Sequence, residues 1–237
     1  MKHILITATL FISLISCDSN EKKESKTTPA DTVTVNKNVG ALGQTLFKDY
    51  KFGQSIDEFK SSGEYQDCTD FFETPALCKE GVRFLDNDYS AGLIFNNNQL
   101  QKVILYTEFS EEIYQVLPAS LQKNNFQLVL LADDAERIDL LVSGKKETQE
   151  KFWEMITVFE NKMLSGNDGL IAFIETKDLK KEIQSYGSTA ELLLDAPPPT
   201  REIDMRIITD EDGTRYISLS FILVKHELEN LGKKESF

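Results

Sequence analysis

Histidine and cysteine are scarce in this 237-residue chain, which carries two of the first and three of the second. So few imidazoles and thiols do not build the Cys- and His-rich sets that hold zinc. A Ser-His-Asp unit would have to use His226 as its base, and no serine stands in a G-x-S-x-G turn that exposes a nucleophile. Neither G-x-x-x-x-G-K-S/T nor G-x-G-x-x-G occurs, so the phosphate-cradling loops of nucleotide enzymes are missing. Cations are in the minority too, with 26 Lys and Arg against 39 Asp and Glu and a formal charge of -13. Such a field repels nucleic acid phosphates and anionic lipid headgroups, so no nucleic-acid partner is expected; the charge reads first as a means of solubility, with a basic protein partner as the alternative. Carboxylates are too abundant for any one pair to single itself out as acid and base. No catalytic residue, cofactor or metal ligand is therefore assigned, and a hydrolase using carboxylates alone is the remaining enzymatic alternative. Long apolar runs are also lacking: the longest, Ile4 to Ile15, is about twelve residues, short of the ~20 that a helix needs to cross a bilayer core.

What the amino terminus does contain is a pattern. Lys2 precedes the apolar run, and the small Ser16 and then Cys17 follow it, the layout of a secretory signal. Leu14, Ser16 and Cys17 together resemble the bacterial lipobox, the alternative being an ordinary signal peptide that ends near a cysteine. The resemblance implies removal of residues 1–16 and attachment of acyl chains, palmitate among them, to Cys17. Each buried methylene is worth ~0.8 kcal/mol, so several chains would anchor the protein firmly to a membrane of the cell envelope, facing the periplasm. Asp18 resembles the inner-membrane retention signal of enteric bacteria, and other bacterial groups sort by other rules, so the choice of membrane stays open. Residues 17–40 are polar, without aromatics or sustained period. They read as a tether with a reach of roughly 25 Å.

With Cys17 set aside, Cys68 and Cys78 form an even pair in an exported chain and read as one disulfide. Closing a loop of about ten residues contributes roughly 2.5 to 3 kcal/mol by the chain-entropy account. Inside that loop Phe71-Phe72 reads as apolar mass packed under the bridge, with a binding knuckle as the alternative.

The length suits one globular region, 41–232, with 41–132 and 133–232 as conceivable subdomains. Ser55 and Glu58 form S-x-x-E at the start of a short helix that Gly63 closes. Val82 and Phe84, Leu93 and Phe95, and Leu100 to Tyr106 read as a meander, turning at Asp86-Asn87-Asp88 and Asn96-Asn97-Asn98. Ser110 caps a second helix that Pro118 is expected to kink. Phe126 to Leu131 and Ile138 to Val142 read as strands. Glu147 to Leu164 is the longest helix, with Phe152, Ile156, Phe159 and Met163 as its buried stripe and Trp153 at the core edge, a partner groove being the alternative for the tryptophan. Leu170 to Ile174 is a strand, and Leu179, Ile183 and Tyr186 mark a short helix ended by Gly187. Pro197-Pro198-Pro199 is a stiff connector. Ile203 to Ile207 and Tyr216 to Val224 alternate about the turn Asp210-Glu211-Asp212-Gly213, the clearest hairpin in the chain. That turn is out of phase with a calcium loop, whose first position would fall on Ile208. A solvated helix starting near His226 ends the fold, and Lys233 to Phe237 should fray. The expected class is α+β, an antiparallel sheet with helices packed on one face.

Across 52–126, Gly53, Ser55, Glu58, Cys68, Cys78, Phe95, Leu100, Val103, Leu105 and Phe109 occur in an order that resembles the BamE-like and β-lactamase-inhibitor-protein-like fold of small bacterial envelope proteins. The resemblance implies helices on one side of an antiparallel sheet and a protein-binding or envelope-maintenance role. It covers about a third of the chain. Two consecutive helices before the sheet, usual in the assembly lipoproteins, are absent. The expectation is a lipid-anchored, non-catalytic protein that binds an envelope or exported partner, or an immunity or inhibitor protein neutralising a toxin or hydrolase.

Overall fold

A computed structural model describes the backbone of residues 42–234 and the side chains as far as Glu229. The signal segment, Cys17 and the tether lie outside the described residues. Two short strands, β1 (Thr45–Phe47) and β2 (Tyr50–Lys51), make a small ribbon. Then follow α1 (Ile56–Ser62), β3 (Gln66–Asp67), α2 (Thr69–Phe72), β4 (Ala76–Phe84), β5 (Asn87–Asn96), β6 (Gln99–Glu108) and α3 (Glu111–Lys123). The second half comprises β7 (Phe126–Ala132), β8 (Arg137–Asp139), α4 (Leu140–Lys146), α5 (Gln149–Leu164), β9 (Gly169–Glu175), α6 (Thr189–Asp195), β10 (Arg201–Thr209), β11 (Arg215–Leu223) and α7 (Val224–Lys234).

Strands β3 to β11 form one antiparallel sheet in the order β3-β4-β5-β6-β11-β10-β9-β7-β8. The protein is thus α+β. Position 132–133 marks no break in the sheet: β7 from the first half lies between β9 and β8 from the second.

Alternation explains the core. Ala91, Leu105, Leu219, Met205, Ile171 and Leu131 are successive cross-strand partners and all are buried, one row of a single inner face. On this face pack Ile56 and Phe59 of α1, Tyr114, Leu117 and Leu121 of α3, and Ile156, Phe159 and Met163 of α5. The opposite face of β7 and β9 contributes Val129, Leu130, Ala172 and Ile174 to a second cluster with Tyr186, Leu192 of α6 and Val224 of α7. Helices therefore cover one face along most of the sheet and both faces at the β8 end.

Local signals account for the helix starts. Ser55, Ser110 and Thr148 are extended residues whose hydroxyls accept from Asp57, Ile113 and Lys151 backbone N–H groups. Gly63 ends α1 in the left-handed region. Pro118 lies within α3, which continues across it to Lys123 instead of being interrupted.

Several boundaries differ from expectation. β4 begins at Ala76, six residues before Val82, because the bulge at Gly81 hides its alternation. The turn after β4 is Leu85-Asp86, both at positive φ, and Asn87 and Asp88 are already in β5. The strand expected over Ile138 to Val142 stops early: β8 ends at Asp139, which accepts from the N–H groups of Leu141 and Val142 and caps α4. A run this short and apolar suits either state, and the cap decides. Between Leu179 and Gly187 only Ile183–Ser185 is helical, as one 3-10 turn, and α6 follows where no helix was expected. Lys233 and Lys234 remain in α7, and Glu235 to Phe237 lie outside the described residues.

Candidate functional site

The disulfide loop builds the first part of a site. Cys68 and Cys78 are bonded, with Cα atoms 5.8 Å apart. Asp67 Oδ1 accepts from Thr69 N at 2.9 Å, Thr69 Oγ1 accepts from Ala76 N at 3.3 Å, and Cys68 O accepts from Phe71 and Phe72 N–H groups. The hydrogen bonds from Thr69 hold the exposed Asp67 carboxyl below its ordinary range. Stapled in this way, the one-turn helix α2 aims two rings differently. Phe72 is half-buried against Gly92, where a Cβ would stand 2.5 Å from two of its ring carbons. Phe71 is 70% exposed. Only Phe72 behaves as loop packing; Phe71 does not lie under the bridge. The rings meet edge to face at 4.8 Å, and Phe71 also lies roughly parallel to Tyr106 of β6, 5.9 Å between centroids.

Tyr106 belongs equally to a hollow of about 300 Å3 beside it. Cross-strand pairing sets Ser90, Tyr106 and Ser218 in one row and Glu108 opposite Tyr216 in the next. The bulge at Gly81 brings Glu80 to the rim, where its carboxylate accepts from the Ser90 hydroxyl. Asp88 completes the wall and is partly neutralised by Arg83 at 3.5 Å. Burial raises the Tyr106 phenol above its ordinary pKa, so it stays neutral. Burial raises Tyr216 as well, helped by Asp210, Asp212 and Glu108. Carboxylates set among tyrosine faces favour a cation, such as a lysine or arginine side chain.

A third polar group stands further along the same face. Glu202 and Asp204 alternate on β10 with Arg206, and Ser220 pairs with Asp204. Burial, then the charges of Asp204 and Glu227, push the Glu202 carboxyl up to about 8, against the opposing pull of Lys102 and Arg137. Asp204 is raised by burial, with Arg206 and Lys102 opposing. Neither acid lines any of three surface hollows of about 250, 460 and 300 Å3.

Other candidates from the sequence are placed as follows. His226 is buried, 6% exposed, with its ring 4.3 Å from that of Phe52; it is not on a solvated helix start. Asp210 accepts from the N–H groups of Asp212 and Thr214, so its carboxylate serves the hairpin turn. Among the described residues no three His, Cys, Asp or Glu side chains are grouped to hold a metal ion. Trp153 is 56% exposed and meets only the edge of the stripe through Phe152 at 5.6 Å, because it lies one residue, about 100°, off the buried line. No helix among the described residues is long and apolar enough to cross a membrane.

The sequence left the partner-binding residues unassigned. Phe71-Phe72 in a disulfide loop was the local hint that falls at this site; Tyr106, Glu108 and Tyr216 join it only through sheet register. No known protein family, curated protein or solved structure matches the chain.

Proposed function

We propose that the protein is a lipid-anchored, non-catalytic component of a bacterial cell envelope that binds an exported or envelope protein through Phe71 and the acidic tyrosine hollow. One observation carries the reading: an exposed phenylalanine is fixed by a disulfide-closed loop against the tyrosine that walls a carboxylate-lined hollow. A rigid aromatic at a polar rim is the kind of anchor that dominates protein interfaces. The net charge of -13 favours a basic partner and speeds its approach. The Leu14 to Cys17 pattern supports the anchor. A narrower form, an immunity or inhibitor protein for a basic toxin or hydrolase, draws on the same acidic hollow.

The test uses the chain exported with Cys17→Ser, alone and with Phe71→Ala or Glu108→Lys, as bait for envelope and secreted proteins. A partner held by the first bait and lost by both variants, with circular dichroism unchanged, is the expected result. Capture indifferent to both substitutions overturns the proposal. Separately, radiolabelled palmitate should enter the unmodified chain and not the Cys17→Ser variant; equal labelling removes the anchor from the reading.

A further inference from the structure

The helix-packed face of the sheet holds a different hollow, between the tip of the β1–β2 ribbon and the end of α3, with a volume of about 250 Å3. Its floor is core: Phe47, Phe126, Phe221, Leu121 and Ile203 line it and are at most 4% exposed. Two of these rings join a third lining residue, Phe84, in one network, with Phe47 4.7 Å from Phe221 and 5.3 Å from Phe84. The hollow opens to solvent on one side, and water against its floor faces mostly apolar walls that offer few hydrogen-bond partners. An apolar occupant satisfies those walls better.

The rim selects the charge of that occupant. The two charged residues that line the hollow are both cations, Lys48 and Arg201, in a chain where acids outnumber bases by 39 to 26. Arg201 is held in place: it forks onto Glu175 at 2.7 and 2.6 Å and stacks over Phe126 at 5.2 Å. Lys48 sits at the turn of the ribbon with φ of 47°, its ammonium 5.5 Å from the Phe47 ring centre and donating to the Arg83 carbonyl. An anionic head at this rim would meet one exposed ammonium and one fixed guanidinium whose charge Glu175 already balances and which also donates to the Leu46 carbonyl.

We propose that this hollow binds an amphipathic monoanion of the medium-chain fatty-acid class, with its chain on the phenylalanine floor and its carboxylate beside Lys48 and Arg201. This site is separate from the Phe71 surface and does not depend on the role given to it.

The experiment titrates decanoate, below its micelle concentration, into the Cys17→Ser chain by calorimetry, with decanol and decyltrimethylammonium as matched probes. One decanoate per chain is expected, bound more tightly than decanol, with the cationic probe weakest. Lys48→Glu, at an exposed position, should weaken decanoate about fivefold while leaving decanol unchanged. Leu121→Trp should block all three, and Phe71→Ala should alter none. No decanoate binding at millimolar concentration, an unchanged affinity in Lys48→Glu, or equal affinity for the cationic probe overturns the proposal.

Discussion

Removing the Cys68–Cys78 bond by the paired substitution Cys68→Ala and Cys78→Ala should lower stability by a definite amount. The bond links residues separated by 10 positions, and the chain-entropy relation gives about 2.8 kcal/mol at 25 °C for a loop of that size. Little else should compensate. The Gln66–Cys78 and Asp67–Leu77 pairings do not need the bond, so the native sheet changes less than the freed unfolded chain. Equilibrium urea unfolding of the oxidised chain and the double variant measures the difference, with the midpoint falling and the slope nearly constant. The same variant should also free α2: a one-turn helix has no independent stability, so ring contacts from Phe71 to Tyr106 should weaken in NMR spectra before global unfolding begins. A loss below about 1 kcal/mol, or an unchanged Phe71–Tyr106 contact, would refute the reasoning that the bond both closes the loop and fixes the exposed ring.

Gly92→Ala places a methyl 2.5 Å from the Phe72 ring and should cost about 1 to 3 kcal/mol as overpacking, read by thermal unfolding, together with weaker partner capture as α2 is pushed outward. Glu202 has a folded-state pKa of about 8 against an ordinary 4.5, so the folded chain binds the extra proton between those values and stability falls as pH rises through that window. Glu202→Gln should flatten that slope, leaving the part that Asp204 contributes, so the variant gains on the unsubstituted chain as pH rises from about 5 to about 9; parallel pH profiles in urea would contradict this. Arg201→Ala strands Glu175, 8% exposed, and should cost about 3 to 5 kcal/mol, whereas pairing it with Glu175→Ala should restore part of the loss in a double-mutant cycle.

The disagreements between sequence and structure share a cause. Caps at Ser55 and Ser110 and the Asn97-Asn98 turn, both residues at positive φ, involve neighbours within four residues and were readable; Thr148, inside the helix expected from Glu147, instead caps it. So was the hairpin of β10 and β11, whose partners are joined by one short turn. The helix α6 carried a readable signal too, since Ser188 accepts from Glu191 N and Glu191 accepts from Gly187 N, the reciprocal box of a helix start; its single fully buried leucine, Leu192, gave too little periodicity to draw notice. His226 was misjudged because its polar neighbours Lys225 and Glu227 say nothing of Phe52, which comes from 174 positions earlier in the chain.

The sequence by itself determined the class of fold, the capped helices, the alternating strands, the disulfide and the excess of negative charge, because each follows from composition or from contacts between near neighbours. Tertiary structure alone decided that β6 would lie beside β11 and β7 between β9 and β8. Those non-local pairings bring Tyr106 beside Tyr216, and Phe126 beside Glu175 under the Arg201 guanidinium. Both proposed sites consist of such contacts, since a hollow is a property of surfaces brought together and leaves no period in the chain.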